Sequence, residues 1–192
     1  MDVTTPEGVS IKGAYPMGDV TFIDQSPDMP GGDWLSLLKE DKTLVFNPTD
    51  EVMAHGNNYG SYNYPQTKCT EFEIFVHNHT SDESFYLHFL AKDGVTSPAG
   101  TYTVAKDPQN PQPGEFIPGS QELSILRDTW CYVKWVDGGE AGGAPATDGV
   151  LTITDNGDSN YTIEYEMKDD AEPKNTVKAK WTGKVDIKVR AE

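Results

Sequence analysis

The chain has 192 residues, with 31 acids against 15 lysines and arginines and a formal charge of −16. That length suits one domain, or one domain with an appendage. A field of that sign repels nucleic acid and anionic membrane surfaces, and its simplest consequence is solubility. Thr, Tyr, Val, Gly and Pro are plentiful, which favours strands joined by turns.

In chain order, Val9–Tyr15 and Val20–Asp24 are the first strand candidates, before Pro27, Pro30, Gly31 and Gly32 break the chain. Asp33–Lys39 reads either as a short helix capped by Asp33 or as a strand. Thr43–Phe46 reads as a short strand and Asn47–Asn58 as irregular. Glu71–His77 and Ser84–Leu90 predict a hairpin, with Phe72, Ile74 and Val76 on one face of its first strand and Phe85, Leu87 and Phe89 on one face of its second. Burying each of these six contributes roughly 1.5–3 kcal/mol, so they anchor the expected core.

Gly100–Val104 is a further strand. Lys106–Glu122 carries Pro108, Pro111, Pro113 and Pro118 and predicts a long loop, since proline cannot donate to a ladder; loops of that length often carry function. Ser124–Leu126 and Thr129–Val136 are expected strands, and Asp137–Gly149 a flexible Gly/Ala/Pro segment.

The strongest pattern is Gly149–Glu166. Leu151 and Ile153, then Tyr161, Ile163 and Tyr165, alternate with polar residues around an Asn/Gly/Asp/Ser turn, which reads as a β-hairpin with one wet face. Lys174, Lys178, Lys180, Lys184, Lys188 and Arg190 crowd the last two strands. Several alternate with Val177, Ala179, Trp181, Val185, Ile187 and Val189, so the bases are expected on the solvent face, where edge lysines also discourage strand addition.

Aromatic side chains supply the candidate contacts. Strict alternation puts Trp130 and Tyr132 on one face of their strand and Cys131, Val133 and Trp135 on the other. Trp135 and Trp181 are assigned to the core. Tyr59, Tyr62 and Tyr64, in what reads as a polar Gly/Asn loop, join Trp130 and Tyr132 as candidate ligand-contact residues. Cys69 and Cys131 lie in no CxxC motif; one disulfide and two buried thiols both stay open.

His77, His79 and His88 have a spacing that zinc or copper accepts, but no carboxylate or thiol visibly completes a tetrahedral set, so solvated histidines beside a turn are expected. Asp155–Asn160 has the residues of a hairpin turn and lacks the register of a calcium loop. There is no G-x-S-x-G elbow, P-loop, GxGxxG or HExxH. No catalytic residue, metal or cofactor is assigned.

Several phrases recur in a familiar order: Asn58-Tyr-Gly60, Pro98-Ala-Gly-Thr-Tyr-Thr-Val104, Phe116-Ile-Pro-Gly-Ser120, Asp148-Gly-Val-Leu-Thr-Ile-Thr154, Tyr161-Thr-Ile163 and Trp181-Thr-Gly183. In this the chain resembles uncharacterised lipoproteins of gut Bacteroidetes, over roughly residues 57–188. Trp181 stands where that family usually has tyrosine, and Lys180 where it tends to have a small residue. The resemblance implies an exported protein of the periplasm or outer-membrane surface, touching membrane only through a lipid anchor and lacking its signal in this chain. It implies no activity.

The expectation is therefore an all-β antiparallel domain spanning 1–192, with about nine to eleven strands, given the regular turn spacing. Residues 1–56 add strands or an appendage. A two-sheet sandwich or flattened barrel is expected first, a calycin-like barrel second. The expected function is a binding module for glycan or protein without catalysis. The alternatives are a small-ligand carrier in a barrel cavity and a glycoside hydrolase with two carboxyls across a cleft.

Overall fold

The computed structural model describes residues 34–64, 67–122, 125–136 and 139–190, and the short strands β1 (Val3–Thr4) and β2 (Ser10–Ile11), which pair with each other. The rest of the expected strands Val9–Tyr15 and Val20–Asp24 lies outside the described residues. The described elements are all strands: β3 (Lys42–Leu44), β4 (Val52–Tyr64), β5 (Thr67–Asn78), β6 (Glu83–Lys92), β7 (Gly100–Val104), β8 (Glu115–Phe116), β9 (Ser120–Glu122), β10 (Ile125–Arg127), β11 (Trp130–Val136), β12 (Gly139–Pro145), β13 (Asp148–Asp155), β14 (Asn160–Lys168), β15 (Thr176–Lys184) and β16 (Asp186–Val189).

Most of them join one large curled sheet, a half-barrel, in the order β16-β4-β5-β6-β8-β7-β13-β14-β15-β3. This is the all-β architecture expected of a sandwich or flattened barrel. The two ends of β6 have different partners on one edge. Phe89 and Leu90 pair with β8, whereas Glu83 to Tyr86 pair with β11, which carries β12 as a side branch. β9 and β10 form a small separate hairpin.

The alternation read from sequence builds the interior. Phe72 faces Phe89, Ile74 faces Leu87 and Val76 faces Phe85 across β5 and β6, and all six are fully buried. On the other side, Ile153, Ile163 and Trp181 line up across β13, β14 and β15, as do Leu151, Tyr165 and Ala179. These residues belong to one cluster that fills the inside of the curl. Two of its hydroxyls are bonded to backbone: Tyr165 Oη donates to the Cys131 carbonyl at 2.5 Å and Tyr102 Oη to that of Pro98 at 2.8 Å.

Of the two readings of Asp33–Lys39, the helix is excluded over Trp34–Leu38, an extended strap whose Ser36 bridges Gly143. Asp170 accepts from the Leu35 and Ser36 amides at 2.7 and 2.9 Å, and the wholly buried Asp169 accepts from Ser36 Oγ at 2.6 Å. Those carboxylates replace the partners a helix would have supplied. Two segments expected to be irregular are strands: Val52–Asn58 begins the long β4, and the Gly/Ala-rich Gly139–Pro145 is β12.

Their glycines mark close backbone approach rather than looseness. A Cβ at residue 56 would lie 2.6 Å from the Glu73 carbonyl oxygen, and one at 143 would collide with that of Tyr132. The proline-rich stretch 106–122 is a loop interrupted by β8 and β9.

Cys69 and Cys131 are both buried and are not bridged. Cys69 pairs with Lys92 at one end of β6, and Cys131 lies beside Tyr86, six residues away on that strand. At about 3.3 Å per residue the thiols are far beyond bridging reach.

Candidate functional site

The outer face of β4, β5, β6 and β11 is not dressed for water. The inner positions of β5 leave Glu71, Glu73, Phe75 and His77 pointing outward, and those of β6 leave Ser84, Tyr86 and His88. Strand register arranges these in rows. His55, Phe75, Tyr86 and Trp130 stand side by side across the four strands. Asn57, Glu73 and His88 form the next row on one side, and Met53, His77, Ser84 and Val133 the next on the other.

The aromatic row is the floor of a groove of about 370 Å³ lined by His55, Phe75, Tyr86, Leu126, Trp130, Val133 and Trp135. This volume lies within the roughly 300–1,000 Å³ typical of small-ligand sites. Phe75 is the hub, its centroid 5.3 Å from His55, 6.4 Å from Tyr86 and 6.2 Å from Trp135. The Phe75 and Trp135 planes stand at 78°, so two walls meet in a corner.

A β-bulge in β11 creates this lining. The register with β12 slips between Trp130 and Tyr132, and that with β6 between Trp130 and Val133. The extra residue shifts the parity of the strand. Cys131 and Tyr132 both meet the core, while Trp130, Val133 and Trp135 share the groove. Pairing Trp130 with Tyr132 on one face is thereby overturned, and Trp135 is a half-buried groove wall rather than a core residue.

Of the expected contact residues, Trp130 lines the groove although it is only 1% exposed. Tyr132 is half-buried on the opposite face, with Lys42 Nζ 5.2 Å from its ring centroid. Tyr59 lies on β4, not in a loop, and grips Glu73. Tyr62 and Tyr64 are also in β4; their side chains fall outside the described residues.

Both indole N–H groups, His77, Glu73 and the two tyrosines beside it have hydrogen-bond partners. Trp130 Nε1 donates to the carbonyls of Arg127 at 2.9 Å and Ser120 at 3.2 Å. Trp135 Nε1 donates to Ser84 Oγ at 2.7 Å, and that hydroxyl also bonds His77 Nδ1 at 2.7 Å. Burial, helped by neighbouring His79, holds the His77 pKa below its ordinary value. Glu73 accepts from Tyr59 Oη at 2.5 Å and is hydrogen-bonded by Tyr86. Burial first, and Glu73 next, push Tyr59 up to about 12 and Tyr86 higher still.

Beside Glu73 lies a buried charge triad. His88 Nε2 is 2.7 Å from Glu71 Oε1 and its Nδ1 is 3.0 Å from Asp128 Oδ1. Burial is the largest single influence on His88 and pulls its pKa down; the bonds to Asp128 and Glu71 together outweigh it and leave the pKa raised to about 9. The ring is an imidazolium at neutral pH, donating from both nitrogens. Asp128 reaches it because the turn between β10 and β11 puts this residue at φ 63°, a conformation aspartate tolerates. The same turn sets Leu126 against the groove.

Phe75, Tyr86, His55, Glu71, Glu73 and Asp128 were not singled out from the sequence. The signal existed: β5 and β6 carry large rings on both faces, which a half-solvated hairpin does not need. Comparisons with protein families, with curated proteins and with solved structures return no match.

Proposed function

We propose that the protein is a non-catalytic binding module that docks a protein partner through the groove on the outer face of β4, β5, β6 and β11. One observation carries this: the rings of Phe75, Tyr86 and Trp135 are half-buried in one groove of the outer face, with the Tyr86 hydroxyl and the Trp135 N–H engaged internally. A sugar needs donors and acceptors for its hydroxyls as well as a ring to stack on. Here both indole N–H groups and the Tyr86 hydroxyl already have partners, which favours a side chain of a protein over a glycan.

The carboxylates support binding over hydrolysis. Glu71 and Asp128 clamp His88, and Glu73 is held by two tyrosines, so none is poised as a general acid beside an attacking carboxylate. The side chains filling the curl occupy the space an internal carrier would need. Export to the periplasm or outer-membrane surface belongs to the same proposal and rests on the motif resemblance. A peptide library panned on the purified chain tests the reading. Selected peptides are expected to lose at least tenfold in affinity against Trp135→Ala. Equal binding to both forms would overturn it.

A further inference from the structure

We infer that the groove takes an alkylammonium group at the end of a lysine side chain of the partner, and binds it more tightly as the nitrogen is methylated. This rests on the groove being the docking site, and it adds the chemistry that the groove selects.

The first argument is charge complementarity. Glu73 sits one outward position from Phe75 on β5, and Glu71 one further. With Asp128 and with Asp186, which pairs with His55, four carboxylates border the rings, against the positive charges of His88, of Lys188, which pairs with Asn57, and of Arg190. Arg127 is paired with Glu122 at 3.6 Å, whereas Arg190 donates to the neutral Asn57 at 2.8 Å and keeps its charge. The chain as a whole carries −16. The acids outnumber the bases around the groove as they do over the chain, which favours the approach of a cation.

The second argument is hydration. Tyr59 and Tyr86 already hydrogen-bond Glu73, which leaves fewer of its lone pairs for an incoming N–H. A bare ammonium is compact and strongly hydrated and would lose water bonds without replacement. A methylated ammonium keeps the charge, needs no acceptors, and is attracted to ring faces. The half-buried Phe75 and Trp135 rings, at 78° to each other with Tyr86 beside Phe75, suit a rounded group better than a flat one. Free phosphocholine lipids share this head chemistry, but their phosphate would face the same acids, which favours a polypeptide source.

The test compares choline with its uncharged isostere 3,3-dimethylbutan-1-ol by calorimetry on the full chain. Choline is expected to bind at least about fivefold more tightly, the ratio produced by about 1 kcal/mol of cation–π attraction. Glu73→Gln is expected to shrink that ratio. A trimethyllysine peptide is expected to bind more tightly than its unmethylated form. Equal affinity for choline and the isostere would overturn the cation preference while leaving the groove a binding site. No binding of either probe, or of the peptide, would remove the docking proposal as well. Binding to phosphatidylcholine vesicles with none to the peptide would make the occupant a lipid headgroup. A self-association abolished by Trp135→Ala would make it a second copy; either result overturns the inference.

Discussion

Two hairpins of the same sheet, β5–β6 and β14–β15, have inner faces of one kind and outer faces of opposite kinds. Inside, Phe72 against Phe89 and Ile163 against Trp181 do the same work of filling the curl. Outside, β14–β15 carries exposed ion pairs, Glu166 with Lys178 and Glu164 with Lys180, each at 2.9 Å, and Thr162 bonded to Thr182. Their charged side chains are 53–67% exposed. Outside β5–β6, the Glu71 and His88 side chains are only 13% and 10% exposed, and Phe75, His77 and Tyr86 place rings beside Glu73 and Ser84. Isolated surface pairs contribute little, whereas a buried triad is costly to break. Stability alone is served by the first kind of face; the second needs a further reason, which the proposed ligand would supply.

Breaking the shared inner face gives the largest effect. Phe72→Ala and Ile163→Ala are each expected to lower unfolding free energy by roughly 2–5 kcal/mol in denaturant melts, alike in both hairpins. A small loss in only one would mean that the two hairpins do not share a core.

The outer faces should then diverge. The His88 pKa is raised from 6.5 to about 9 on folding, a difference of order 3 kcal/mol. Because the folded pKa is the higher, that stabilisation is full below pH 6.5 and is lost as the pH rises through about 9. Melts from pH 6 to 10 should show this slope, and His88→Gln should remove it. An unchanged slope in the variant would assign it to other groups. Trp135→Ala, in the groove wall, should cost about 1–3 kcal/mol and abolish peptide binding. On β14–β15, Lys180→Ala should change stability by less than about 0.5 kcal/mol; a larger loss would erase the contrast between the faces.

Alternation made the inner residues of β5, β6, β13, β14 and β15 legible in the sequence, and Trp181 with them. Alternation failed where the backbone departs from it. The bulge in β11 inserts a step that composition does not announce, so strict alternation groups Tyr132 with Trp130 and sends Trp135 to the core, whereas Trp135 shares the groove with Trp130 and Tyr132 meets the core. Gly56 and Gly143 resembled loop residues although they allow strands to approach closely. The site itself is a product of register. Glu71, His88 and Asp128 are brought together by β5–β6 pairing and by the turn at Asp128, and no spacing along the chain encodes that meeting.

The account stands most directly on where a ligand lands. Titrating the ¹⁵N-labelled chain with a trimethyllysine peptide should shift the indole N–H signals of Trp130 and Trp135 and amides around Phe75 and Tyr86, leaving Trp181 and the β14–β15 amides in place. Shifts centred on β14–β15, with the Trp130 and Trp135 signals unmoved, would contradict it.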